Sequence, residues 1–140
     1  MKKKGWEHYS HTADMGIRGF GETKNEAFEQ AAVAMIAISV EPEKIKPAET
    51  IEVTCEGNDD ESLLFDWLNK ILFEMAIRKM LFSKFEVRIE GNKLAAKAFG
   101  ERIDLEKHKP VVEIKGATYS DLKVYRDNDG TWMAQCIVYI

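Results

Sequence analysis

Cysteine is nearly missing from this chain: Cys55 and Cys136 are the only two among 140 residues. They do not stand at CxxC spacing, which excludes a disulfide framework and a cysteine-built zinc site. The first residues lack the apolar core and small-residue cleavage site of a secretory leader. Two unpaired thiols in such a chain point to a reduced, cytoplasmic protein. Both fall at apolar phases of strand-like segments, with no histidine or cation close in sequence, and read as small buried hydrophobes. No stretch is long and apolar enough to span a bilayer, so no membrane partner is expected. Positive charge is not in excess either. Twenty Lys and Arg stand against 24 Asp and Glu, a formal net charge of −4. Binding nucleic acid by neutralising phosphates needs the opposite balance, so strong direct binding is not expected. The one basic run, Lys2-Lys3-Lys4, reads as a solvated tail. Also lacking are a GxxxxGK[ST] phosphate loop, a GxSxG elbow, an HExxH zinc pattern and an RNA-recognition signature. Gly19-Phe20-Gly21 continues with Glu22-Thr23 and does not complete a dinucleotide fingerprint.

What is present is an ordinary globular mix, 45% hydrophobic and 31% charged, long enough for one domain, 1–140, around one core. Trp6–Ser10 and Ile17–Gly21 read as short strands. Thr23-Lys24-Asn25-Glu26 is a capping box, and Ala27, Phe28, Ala31, Ala32 and Met35 follow at helical spacing, in a helix that ends before Pro42. Ile51, Val53 and Cys55 alternate with polar residues. Asn58–Glu61 can cap a second helix whose apolar stripe runs from Leu63 through Trp67 to Met75, the pattern of a core-packed helix rather than a ligand groove. Phe85, Val87 and Ile89 alternate up to a Gly91-Asn92 turn, and Leu94, Ala96 and Ala98 alternate after it. Gly100–Pro110 reads as a polar loop and Val111–Ile114 as the start of a strand. After the Asp127–Gly130 turn, Trp132, Ala134, Cys136, Val138 and Ile140 alternate to the last residue. The order predicts an α+β fold with mixed or antiparallel sheets and two main helices in a single compact domain.

Polar chemistry concentrates in His11-Thr12-Ala13-Asp14-Met15-Gly16. Gly16 can take a positive φ and bend the chain. An Asp in such a turn either bonds nearby amides or serves as a ligand, and the residues alone leave both readings open. His11 and Thr12 are weaker candidates. A second constellation, Gly100 to His108, mixes carboxylates with one histidine and reads most simply as a solvated connection. Lys115, at a strand end beside Gly116, can pair with a carboxylate or a phosphate.

HTADMG, the capped helix after it, Asp66-Trp67-Leu68-Asn69 in the second helix and Glu113-Ile114-Lys115-Gly116-Ala117-Thr118-Tyr119 together resemble the archease family from Trp6 to Ile140. Gly100-Glu101 with Asp104 and His108 is similar to that family's loop before EIK. The resemblance implies a protein cofactor and not an enzyme. It would be an accessory factor of the RtcB-type RNA ligase of tRNA splicing, promoting transfer of GMP to the ligase and repeated turnover. It implies Asp14, Lys115 and His11 as activation candidates, with Asp104 and His108 weaker ones. It also implies a divalent metal site, usually described with calcium, built from Asp14, a penultimate aspartate and the terminal residue; Asp14 with a C-terminal carboxylate is an all-oxygen cluster, which suits Ca²⁺, Mg²⁺ or Mn²⁺. Here those last positions are Tyr139 and Ile140. A neutral phenol is a poor ligand for a hard cation. A site here would then be weak, use the Tyr139 carbonyl and the Ile140 carboxylate, or recruit a substitute such as Glu7. Ser120 stands where the family often has histidine. Two other readings stay open at this level: a small metal-dependent hydrolase, and a chaperone-like module for RNA-processing enzymes.

Overall fold

The computed structural model describes residues 3–11 and 14–140, with the His11 side chain outside that description. Two antiparallel sheets are built around two helices. The first sheet contains β1 (Gly5–His11), β2 (Asp14–Gly21), β6 (Gly116–Ala117), β7 (Lys123–Arg126) and β8 (Trp132–Tyr139), in the order β1-β2-β8-β6 with β7 also on β8. The second contains β3 (Glu49–Glu56), β4 (Met80–Glu90) and β5 (Lys93–Arg102), in the order β3-β5-β4. The predicted α+β class holds, and every described strand pair is antiparallel.

Helix α1 (Lys24–Ala37) starts as its sequence dictates. Thr23 Oγ1 accepts from the Glu26 amide at 3.1 Å, and the Glu26 carboxylate accepts in return from the Thr23 amide at 3.3 Å. Its face of Ala27, Phe28, Ala31, Ala32 and Met35 is fully buried. Its polar side covers the β4 edge: Glu29 accepts from the Val87 amide at 2.8 Å and Asn25 from the Ile89 amide at 3.2 Å. An edge strand covered in this way is closed to intermolecular pairing. Helix α2 (Asp60–Arg78) begins at Asp59, whose carboxylate accepts from the Ser62 amide at 2.8 Å. Trp67 is fully buried and donates its indole N–H to the Phe28 carbonyl at 3.0 Å, so the Trp67 stripe is core.

Three stretches depart from expectation. Strand β4 begins at Met80, directly after Lys79 turns the chain with φ 55°. Val111–Ile114 forms no strand: the Val111 amide donates to the Ser39 carbonyl at 2.9 Å and the Ser39 hydroxyl to the Val112 carbonyl, tying this backbone to the end of α1. Gly100–Pro110 is not a polar loop throughout. Gly100–Arg102 completes β5, and Leu105–His108 forms a short helix, α3, with His108 only 1% exposed. Cys136 is buried as expected and Cys55 half-buried; burial pushes their thiols up to about 12 and about 11. Among the described residues, no helix is long and apolar enough to cross a membrane.

Candidate functional site

The strand register assembles the site. His11 pairs with Asp14 across the β1–β2 hairpin, and Met15 pairs with Val138 across β2–β8. Carried one position further, the second register sets Asp14 opposite Tyr139. Tyr139 in turn pairs with Gly116, and its carbonyl accepts from the Lys115 amide at 2.8 Å. Directly paired residues share a face, and neighbouring strands lie about 4.8 Å apart. Asp14, Tyr139 and Gly116 therefore form one row across the sheet, on the face turned away from α1, with the His11 backbone paired to Asp14 at its end. Lys115 reaches over that row: its Nζ lies 5.6 Å from the centroid of the Tyr139 ring, which is 52% exposed. Asp14, Lys115 and Tyr139, distant in sequence, thus meet at one end of the sheet.

Asp14 and Gly16 are strand residues, and Gly16 does not take a positive φ. The expected HTADMG turn falls partly on Thr12 and Ala13, outside the described residues. The glycine serves a steric need instead. A Cβ on Gly16 would stand 2.4 Å from the Tyr9 ring, which lies across it from the paired strand. Tyr9 leads into a polar network behind the row. Its hydroxyl donates to Asp121 Oδ2 at 2.7 Å, and Gln135 Nε2 donates to the same oxygen at 3.0 Å. Arg18 donates from Nε to Gln135 Oε1 at 2.9 Å and holds its guanidinium 4.6 Å from the Tyr9 ring centroid. The Tyr9 hydrogen bond, with Lys123 beside it, holds the Asp121 carboxyl below its ordinary value, while burial and that anion push the Tyr9 phenol well up. Sequence reading did not single out Tyr9, Arg18, Asp121 or Gln135. The available signal was Gln135, a polar residue in an apolar strand.

Glu7 is no substitute ligand. It pairs with Arg18 in register and as an ion pair, four positions from Asp14, about 13 Å along the strand. Asn69 links two motifs: its Oδ1 accepts from the Ala117 amide at 3.0 Å, fixing β6 directly after Lys115. Phe65, on the same helix, stacks on Tyr119 with centroids 4.2 Å apart.

The described side chains of the row do not by themselves fit a divalent cation. Among the described residues, no three His, Cys, Asp or Glu side chains come together that could hold a metal ion. The row offers one side-chain carboxylate, Asp14. Tyr139 contributes a phenol ring under an ammonium and the Ile140 side chain packs against the core, which leaves the Ile140 carboxylate and backbone carbonyls as the other oxygen donors at this end. Hard cations are held by several anionic oxygens, with affinity set by the number of charges. Of the expected set Asp14, Tyr139 and Ile140, the register sets Asp14 opposite Tyr139, and Tyr139 brings no side-chain carboxylate to the pair.

Asp104 and His108 have other partners. Asp104 caps α3, its Oδ1 accepting from the amides of Glu106 at 3.1 Å and Lys107 at 3.3 Å. His108 Nδ1 accepts from the Asp104 amide at 2.9 Å, which leaves Nε2 to donate to Glu101, also at 2.9 Å. Glu101 further accepts from Lys107 Nζ at 2.6 Å and the Lys46 amide at 2.9 Å. These bonds hold its carboxyl at about 2, down from an ordinary 4.5. A carboxyl depressed in the folded state stabilises fully above its unfolded value, and that contribution is lost as pH falls toward its folded value. The expected outcome is a melting temperature that falls between about pH 4.5 and 2 less steeply in Glu101→Gln than in wild type. Parallel acid-side melting curves would contradict it.

An apolar groove of about 580 Å³ lies between the C-terminal ends of α1 and α2, lined by Leu72, Met75, Met80, Ile103, Val111 and Ile114 among others. Val111 is 74% exposed at its rim.

A family model described as the archease protein family matches residues 6–140. The chain is 48% identical over 138 residues to the protein archease of Pyrococcus abyssi, covering 96% of this chain and 97% of that one. It is 38% identical to the protein archease of Methanopyrus kandleri, over 95% of this chain and 97% of that one. Among solved structures, protein 1598 of Methanobacterium thermoautotrophicum superposes at a TM-score of 0.85 with 35% identity, over 99% of this chain and 100% of that chain. A Thermotoga maritima protein, named an archease and possible chaperone, shares the fold at a TM-score of 0.63 with 22% identity, over 96% of each chain.

Proposed function

The chain belongs to the archease family, and on that premise we propose that it is a cytoplasmic accessory protein that activates an RtcB-type RNA ligase of tRNA splicing. The observation that carries the reading is the row itself: an acidic and a basic side chain, Asp14 and Lys115, set on either side of Tyr139 at one end of a fixed sheet. Such a pair suits a partner's nucleotide site. The ammonium meets a phosphate, and the carboxylate meets the histidine that accepts GMP. Binding one ligase conformation better than another would shift the ligase toward its guanylylated, turnover-competent form. The chain's acidic balance fits a partner that is the ligase and not RNA.

The test is multiple-turnover ligation by the cognate ligase, with guanylylation of the ligase followed in parallel. Wild-type protein is expected to raise both, and Lys115→Ala to raise them far less. Unchanged ligation on adding wild type would remove the proposal, and nucleotide turnover by this chain alone would replace it with a hydrolase. The apolar groove and exposed Val111 favour a second reading, a chaperone-like module. That reading expects suppression of aggregation in many unrelated proteins, whereas a dedicated activator affects only the ligase.

A further inference from the structure

We infer that Lys115 supplies the positive charge of the Asp14 row in this chain, so that the row is complete without a bound divalent ion. The inference takes the row as the working surface from the reading above, and its test reads cation binding with no ligase present. Two features of the page converge. The first is charge. A second carboxylate beside Asp14 would create a repelling pair that needs a cation to offset it. Tyr139, set opposite Asp14 by the register, removes that second negative charge. The second is placement. The Lys115 ammonium lies 5.6 Å from the Tyr139 centroid, where the ring's electron-rich face attracts it.

Lys115 is also held from its own backbone. Its amide donates to the Tyr139 carbonyl at 2.8 Å, and two residues on the Ala117 amide is fixed to Asn69 at 3.0 Å. With its backbone fixed there, the exposed Lys115 side chain carries its ammonium onto the Tyr139 ring, and a divalent ion that approaches the row meets that like charge. Among its described side chains the row therefore combines one carboxylate, Asp14, with a built-in monovalent cation, a charge balance that weakens its hold on Ca²⁺, Mg²⁺ or Mn²⁺.

The experiment is calorimetric titration of Ca²⁺ and Mn²⁺ into the chelator-treated full chain, with melting temperatures measured in chelator and in millimolar calcium. Wild type is expected to give no saturable binding below millimolar concentration and the same melting temperature in both conditions. The double variant Lys115→Ala, Tyr139→Asp restores the carboxylate and removes the ammonium. It is expected to bind one ion about a hundredfold more tightly. Its melting temperature should rise with calcium concentration, as binding to the folded state requires. Two results overturn the inference. One is saturation of wild type by one ion at micromolar concentration, abolished by Asp14→Ala. The other is a double variant with wild-type circular dichroism that still binds no ion. Neither result depends on whether the ligase responds.

Discussion

An Asp14→Ala chain is expected to melt within about 2 °C of wild type and to lose the stimulation of ligation by about thirtyfold or more. The two halves of this expectation have separate causes. Asp14 is half-buried at the end of β2, and its carboxylate makes no hydrogen bond or ion pair with another described residue. Its backbone pairing with His11 does not need the side chain. Truncation therefore leaves the fold with little to lose, as at surface positions generally. The loss appears only in the complex. Removing one member of a charge pair that becomes desolvated at an interface costs about 2–5 kcal/mol, because the partner charge is left buried and unpaired. Asp14→Asn separates charge from shape. It keeps a hydrogen-bond acceptor in the same place, so a response as weak as that of alanine assigns the effect to the negative charge. The measurements are ligation progress curves at fixed ligase with increasing accessory protein, and a thermal melt of each variant. A large fall in melting temperature for Asp14→Ala would instead show that the Asp14 side chain supports the fold.

That contrast reflects what could be read without coordinates. Signals that act within a few residues were legible: the Thr23–Glu26 capping box, the Trp67 stripe and the Gly91-Asn92 turn all stand where the sequence places them. Signals that depend on a distant neighbour were not. The alternation in β8 suggested one wet face, yet Gln135 and Ile137 on that face are also buried. Residues 118–125 return to cover it: Thr118 and Ser120 bond the Ile137 backbone, and Tyr125 reaches the Gln135 side chain. The polar composition of Gly100–Pro110 suggested solvent. The fold instead gathers its histidine and carboxylate into a staple with Lys46, 55 residues from Glu101. The site divides the same way. Asp14 and Lys115 were legible as members of motifs, and the DWLN asparagine acquires its role only when Asn69 is seen to hold Ala117. The Tyr9–Asp121 bond spans 112 residues and follows from no local pattern. Gly16 was read as a bend because glycine commonly supplies one, whereas here it makes room for a ring.

Gly19→Ala is expected to lower stability by about 3 kcal/mol and the melting temperature by about 10 °C. Gly19 lies on the inner face of β2, between Trp6 and Ala134 in register. A Cβ there would stand 2.1 Å from the Ala31 amide nitrogen and 2.4 Å from the Ala27 carbonyl oxygen. Both are backbone atoms of α1, so no side-chain rotation relieves the clash. The helix must withdraw as a body. Its stripe of Ala27, Ala31 and Ala34 is what lets it settle onto the sheet, and withdrawal loosens Phe28 and Met35 together. It also pulls the Phe28 carbonyl away from the Trp67 indole. Overpacking a close-packed core costs about 1–3 kcal/mol and occasionally more, and the rigidity of the opposing helix sets this site at the upper end. Gly91→Ala provides the control. Gly91 has φ 62° with nothing within 4 Å of a new Cβ, so only left-handed strain of about 1 kcal/mol is expected. Urea unfolding of both variants, with unchanged slope, reads the difference directly. A Gly19→Ala midpoint equal to that of Gly91→Ala would mean that α1 can ride higher on the sheet at no cost, and that the alanine stripe does not set its distance.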